Sequence, residues 1–277
     1  MMVLRKLLDI ASSPRDEAIA WLLIGAIFFA MRSCEYLKTA ATEAKRTMIV
    51  KVKHIIFKKG NRIMSHSDRN LEKADLVSIL FEYQKNDRRD VRVHMFRSGN
   101  KVLCPVIAWA KTVKRVRKIP KCPEDAEVCL FSDKKRQTSL LQAAHVRSRL
   151  RAVVDLLGEE TLGFKKEEIG LHSIRSGGAM AMFLSGTSVI VIQRVGRWSS
   201  EAFLEYIRDQ VETFTLNVSK KMLKYEEFFN LSLEAKNNER QKEALVEEWN
   251  LTDRIEDGPA SLPFCVKVNK LALTNEK

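Results

Sequence analysis

The chain has 277 residues, 45% of them hydrophobic, enough to bury a sizeable core in one large or two small domains. Lysine and arginine outnumber aspartate and glutamate 48 to 35; the net charge of +13 points to a polyanion such as nucleic acid, beside the plainer reading of a basic soluble protein. Five cysteines (Cys34, Cys104, Cys122, Cys129, Cys265) form no C-x-x-C pair, which speaks against a disulfide framework or zinc site and for reduced intracellular thiols. The uncharged apolar run at 18–31 is fourteen residues long, short of the roughly 18 to 20 that span a bilayer, so it reads as a buried helix.

In chain order, a short helix at 4–11 ends near Ser12-Ser13-Pro14. Ser13 as cap, Pro14 at the first helical position and Asp16 and Glu17 in the first turn start a second helix, expected to run to about residue 38. Arg32 then lies near its end, either as a functional cation or as a snorkelling side chain paired with Glu35. Residues 47–64 alternate apolar and basic, the period of a strand, with a turn at Lys59-Gly60-Asn61. Asp75–Tyr83 and Val91–Phe96 read as a second hairpin turning at Lys85-Asn86-Asp87, which completes a small antiparallel sheet.

A helix follows from Pro105 to about 118. Lys111, Lys114, Arg115, Arg117 and Lys118 crowd its second half, facing either a DNA backbone or solvent at the helix end. Val128–Phe131 is a short extended piece, and 138–157 an amphipathic helix closed by Gly158. Helices are expected at about 172–185, 188–195, 200–208 and 214–228, then an exposed one at 231–257 ended by Gly258-Pro259. The tail carries an apolar patch, Leu262–Val266, which is either a docking element or a loose terminus. The fold class is α+β, mostly α-helical, with a small antiparallel β-sheet.

Residues 171–208 concentrate the reactive groups. His172 and Arg175, three apart, share a helix face. Gly196-Arg197-Trp198-Ser199-Ser200 follows about twenty residues on, and Tyr206 comes nine after Arg197. Cations, a ring N–H donor and a tyrosine, with no carboxylate pair or metal cluster, suit phosphate chemistry: arginine forks onto two phosphate oxygens, and a phenol is a possible covalent nucleophile. Each group also has a plain reading, His172 as a helix-end residue and Trp198 as a core ring.

His172-x-x-Arg175, Gly196-Arg197-Trp198-Ser199-Ser200 and Tyr206, preceded by Ala30-Met31-Arg32-Ser33-Cys34-Glu35-Tyr36-Leu37, resemble in order and spacing the boxes of the tyrosine recombinases, the phage-integrase family. The wording FFAMRSCEYLKT and GRWSSEAFLEYIR looks most like crypton-type recombinases of eukaryotic mobile elements. The resemblance covers roughly residues 15–215. It implies a DNA breaking and rejoining catalytic domain there, preceded at 1–14 by a short helix or linker in place of the family's helical arm domain. A C-terminal helical extension and tail occupy 216–277, and such tails dock on a neighbouring copy in the family.

The resemblance also assigns roles. Tyr206 attacks the scissile phosphate, displaces the 5′ hydroxyl and leaves a 3′-phosphotyrosyl link, with no cofactor and no metal. Arg32 and Arg175 clamp the phosphate, and His172 bonds it or manages the tyrosine proton. Lys85, in Gln84-Lys85-Asn86 on the hairpin, gives a proton to the departing oxygen, with Lys59 as its competitor. The family usually has His or Trp after the glycine; here Arg197 holds that place with Trp198 next, so the third donor is one of these two. Tyr36, Tyr83 and Tyr225 lack the Gly-Arg-Trp-Ser-Ser lead-in, and Tyr225 is the fallback nucleophile. Double-stranded DNA is the implied partner, with a tetramer at synapsis, no membrane, and a nuclear location in a eukaryote. The alternatives are a type IB topoisomerase-like enzyme, a catalytically inactive or domesticated DNA-binding remnant, and a basic structural protein.

Overall fold

The computed structural model describes residues 1–43, 47–84, 89–120, 122, 125–133, 137–198 and 204. The hairpin turn bearing Lys85, the helices expected beyond residue 200 with Tyr206 and Tyr225, and the apolar patch of the tail lie outside the described residues.

The described chain is α+β and mostly helical, built around one interior helix. Helix α1 (Met2–Asp9) lays Leu4 and Leu7 against α2 (Pro14–Phe28) and α5 (Ala143–Leu157). The predicted start of α2 is present: Asp16 donates its backbone N–H to Ser13 Oγ at 3.1 Å, and Pro14 opens the helix. Every residue from Ala18 to Ile27 is buried, so α2 has no polar face and serves as the core itself. It packs on α4 (Pro105–Arg117), with Gly25 under Trp109; a Cβ at Gly25 would sit 2.9 Å from that ring. It also packs on α7 (His172–Leu184), where Gly178 meets the backbone of Ile27. No helix among the described residues is long and apolar enough to cross a membrane.

Helix α2 stops at Phe28, ten residues before the expected end. Ala30 takes a left-handed φ of 42°, and Arg32 leads into a single 3-10 turn, Ser33–Glu35. Long-range partners cause the stop: the carbonyls of Phe29 and Ala30 accept from arginines distant in sequence, which removes them from helical pairing.

The four-stranded sheet has the order β2-β1-β3-β4, all antiparallel, with β1 Ile55–Lys59, β2 Arg62–Met64, β3 Leu76–Tyr83 and β4 Arg89–Phe96. Its register pairs Phe57 with Val77 and Ile79 with both Ile55 and Val93, which places one buried apolar row on the face toward α4. The strand expected from residue 47 begins only at Ile55. Val52–His54 form a 3-10 turn instead, and the segment's amides bond outside the sheet, Val50 to Glu35 O at 2.9 Å and Val52 to Ala126 O at 2.8 Å.

Residues expected at the start of a helix from 138 pair as β6 (Thr138–Leu140) with β5 (Leu130–Ser132), and α5 begins at Ala143. A short helix α3 (Ala40–Glu43) precedes the sheet. The final part runs through α6 (Glu159–Leu162), α7 and α8 (Val189–Gly196). On α4, Lys111 and Lys114 pair with Glu72, and Arg115 donates to Val128 O at 2.8 Å, while Arg117 and Lys118 are exposed. Arg115 therefore holds the sheet edge, and only the last turn of α4 presents unshielded cations of that run to solvent.

Candidate active site

Two helix ends meet at the centre of the site. The bend after α2 points the carbonyls of Phe29 and Ala30 at the end of α8, whose last carbonyls belong to Val195 and Gly196. Two arginines bridge the gap. Arg175, on α7, donates to Ala30 O and, at 2.6 Å, to Gly196 O. Arg197 donates to Phe29 O at 3.1 Å and Val195 O at 2.8 Å. Both are deeply buried, Arg175 at 2% and Arg197 at 0% exposure.

Local sequence explains how α8 delivers Arg197. The helix ends with Arg197 N–H on Arg194 O at 3.1 Å and Trp198 N–H on Gln193 O at 3.0 Å, the closure that needs a left-handed residue. Arg197 is that residue, with φ 58° and ψ 42°, a conformation costing a non-glycine about 1–2 kcal/mol. Its guanidinium bonds offset this cost. The closure folds Trp198 back over Gly196 so tightly that a Cβ there would lie 1.5 Å from the ring. The Trp198 ring in turn stacks on Arg175, 4.0 Å from its guanidinium carbon.

Arg32 comes from the bend itself. Its Nη1 donates to Glu35 Oε1 at 3.0 Å and to Gln84 Oε1 at 3.4 Å, and its backbone N–H to Glu35 Oε2 at 2.8 Å. The ion pair with Glu35 thus exists, and the side chain stays 20% exposed. Glu35, itself 1% exposed, also accepts from Arg197 Nη2 at 2.6 Å, and Gln84 Oε1 accepts from Arg197 Nε at 3.0 Å. Phe81 lies beneath the Arg197 guanidinium at 3.7 Å. Burial pulls the Arg197 guanidinium below its usual value, and the charge of Glu35 opposes that shift. Among the described residues, Arg32 and Arg197 share the one carboxylate of Glu35 while Arg175 bonds carbonyls, and three guanidinium groups to one carboxylate suit an anion.

His172 opens α7, one turn before Arg175, and is exposed. Partial desolvation, then the charge of Arg175, lowers its pKa, which favours the neutral ring at pH 7. The fold therefore brings Arg32, Arg175, Arg197 and Trp198 into one cluster, with His172 beside it. Arg197 is sealed from solvent, and four of its donor contacts end on Glu35, Gln84, Phe29 and Val195.

Lys85 and Tyr206 lie outside the described residues, but Gln84, which directly precedes Lys85, is in the cluster. Lys59 sits beside Asp75, whose carboxylate accepts from Gly60 N–H at 2.8 Å, at the other end of β3 from Gln84. The eight residues of β3 lie between Asp75 and Gln84, nine steps of about 3.3 Å or roughly 30 Å. Tyr36 is fully buried, its hydroxyl has no partner among the described residues, and burial followed by Glu35 and Cys34 pushes its pKa far up. It is no candidate nucleophile. Among the described residues no group of three or more His, Cys, Asp or Glu side chains is placed to hold a metal ion.

Sequence reasoning found the arginines but passed over Gln84, and gave Glu35 only one of its two partners. The available signals were Glu35 standing three residues after Arg32 and Gln84 standing next to the candidate lysine.

No protein-family profile and no curated protein matches the chain. Among solved structures, it is similar to two of XerH site-specific recombinase, one bound to palindromic difH substrate as a post-cleavage complex and one bound to difH substrate as a pre-cleavage complex. Both are 16% identical with a TM-score of 0.47; the match covers 79% and 78% of this chain and 50% and 51% of those chains. The chain spans about half the length of the structures it matches.

Proposed function

We propose that the chain breaks and rejoins double-stranded DNA through a phosphotyrosyl intermediate, as a recombinase or integrase of a mobile element. The observation that carries the reading is the meeting of Arg32 and Arg175 at one bend, where Arg175 reaches Ala30 across 145 residues of chain. Two boxes picked out by their order and spacing in the sequence thus share one cationic cluster. Fixed guanidinium groups match the charge that gathers on the non-bridging oxygens of a pentacoordinate phosphate. In the reaction, the Tyr206 oxygen forms a bond to phosphorus as the bond to the 5′ oxygen breaks. Lys85 supplies the proton to that oxygen, and His172, neutral at pH 7, is suited to take the proton of the tyrosine. The link conserves the bond, so a 5′ hydroxyl reverses the step.

The same reading carries the crypton-type kinship, a tetramer at synapsis and, in a eukaryote, a nuclear location (otherwise cytoplasm or nucleoid). Affinity rests on phosphate contacts and falls steeply with salt. A second reading, a DNA binder that does not cut, is favoured by the deep burial of Arg175 and Arg197 with guanidinium groups already bonded to carbonyls. A type IB topoisomerase would share the chemistry without exchanging partners.

Covalent trapping separates these readings. The protein is incubated with nicked suicide duplexes built from its own flanking genomic DNA, and an SDS-resistant adduct is sought with wild type and Tyr206→Phe. The expected result is an adduct lost in the variant. An adduct that survives moves the nucleophile, to Tyr225 first. Salt-sensitive binding with no adduct selects the non-cutting binder.

A further inference from the structure

Arg32 is the most exposed of the three clustered arginines and so the one best able to reach an incoming anion, yet it stands on a bend rather than on a helix. Two acceptors fix its guanidinium. One is Glu35, three residues away; the other is Gln84, 52 residues away at the end of β3. The Gln84 oxygen is shared, accepting from Arg32 Nη1 at 3.4 Å and Arg197 Nε at 3.0 Å. It therefore ties the bend after α2, the end of α8 and the sheet together at one atom.

The other half of the same amide is a burden. Gln84 is fully buried, and its Nε2 has no hydrogen-bond partner among the described residues. A buried donor without a partner costs stability, and an apolar side chain of the same length would not carry that cost. The fold alone gives little reason for a glutamine here; the two bonds made by its oxygen do.

We infer that Gln84 is a positioning residue, which holds the Arg32 guanidinium in place by bridging it to Arg197. The inference rests on the proposed DNA-cleaving reading only for its consequence on rate; the bridge itself is testable without activity.

The test uses the full chain with Gln84→Met, which keeps the length and removes the acceptor, and Gln84→Glu, which restores one. Two readouts are taken: the arginine Nε and guanidinium resonances by 15N NMR, assigned with Arg32→Lys, and the single-turnover rate of adduct formation on suicide duplexes. The expected result for Gln84→Met is shifted, less restricted Arg32 resonances. Adduct formation slows by roughly ten- to a hundredfold, as for a misplaced catalytic group. DNA affinity, carried by many phosphate contacts, changes less than about twofold. Gln84→Glu returns the Arg32 resonances toward wild type, which a mere packing role would not require. Unchanged Arg32 resonances in Gln84→Met, or an unchanged adduct rate in a wild type that does cut, overturn the inference. If wild type forms no adduct, the DNA-cleaving reading fails, and the resonances alone decide the bridge. Should Gln84→Met not fold, Gln84→Asn, one carbon short of both arginines, makes the same comparison.

Discussion

Glu35 Oε2 lies 2.6 Å from Arg197 Nη2, joining two positions 162 residues apart, and both groups are closed off from solvent. Removing Arg197 leaves buried Glu35 with Arg32 as its remaining ion-pair partner among the described residues and also vacates the acceptors on Gln84, Phe29 and Val195. Arg197→Met should therefore destabilise the fold by about 3–5 kcal/mol, even though it leaves the volume similar. Adding Glu35→Gln should recover much of that loss. Urea denaturation of the two single variants and the double variant measures the coupling, and additive losses would contradict it.

Helices α2 and α7 touch through Gly178. A Cβ there would lie 2.3 Å from the Ile27 carbonyl oxygen, whereas one at Gly177 meets only Ile27 Cδ1 at 3.9 Å. Gly178→Ala should cost about 1–3 kcal/mol by forcing the helices apart. Gly177→Ala, in the same helix, should be neutral or stabilising by up to about 1 kcal/mol. Equal melting temperatures for the two variants would contradict the packing described.

The two candidate lysines give different expectations. Lys59 lies at the end of the sheet remote from the arginine cluster, beside Asp75. Lys59→Met is expected to form the covalent adduct at the wild-type rate. Lys85→Met, if Lys85 is the proton donor, should slow it by about a hundredfold or more. A duplex whose leaving 5′ oxygen is replaced by sulfur, which needs no proton, should restore the Lys85→Met rate.

His172 should titrate below the ordinary value of 6.5, because partial desolvation and then Arg175 disfavour its charged form. The unfolded chain then binds the proton at a higher pH than the native protein does. Stability owed to the neutral ring is present above about 6.5 and is lost as pH falls from there through the lower native value. NMR titration of the His172 ring gives the midpoint, and His172→Gln should flatten the acid limb of stability against pH in that range. A midpoint at or above 6.5 would contradict the geometry.

What the sequence disclosed was mostly local. Ser13 and Pro14 announce α2, and Gly60, at φ 53°, announces the β1–β2 turn. Alternation announced a small antiparallel sheet but not its register, such as the pairing of Phe57 with Val77. The end of α2 was not legible, because the groups that stop it are Arg175 and Arg197, far along the chain. Thr138–Leu140 carries helix-compatible residues but is captured by β5. The arginines of the site stood out by spacing. That Arg197 turns inward depends on its left-handed cap and on Glu35, which no window around residue 197 contains.

The early stop of α2 has an electrostatic consequence. An interior helix ends in a negative pole, and here that pole falls on Arg175 and Arg197 rather than on solvent. A second pole, that of α8, converges on the same two residues. Backbone dipoles thus act as a diffuse counterion, able to keep guanidinium groups ionised inside the protein while cancelling little of their charge. Among the described residues only Glu35 is a full opposing charge within the cluster, and it is divided between Arg32 and Arg197. Arg175 meets the Ala30 and Gly196 carbonyls at these two helix ends and the Trp198 ring beside them, so the two poles and one ring set where its charge sits.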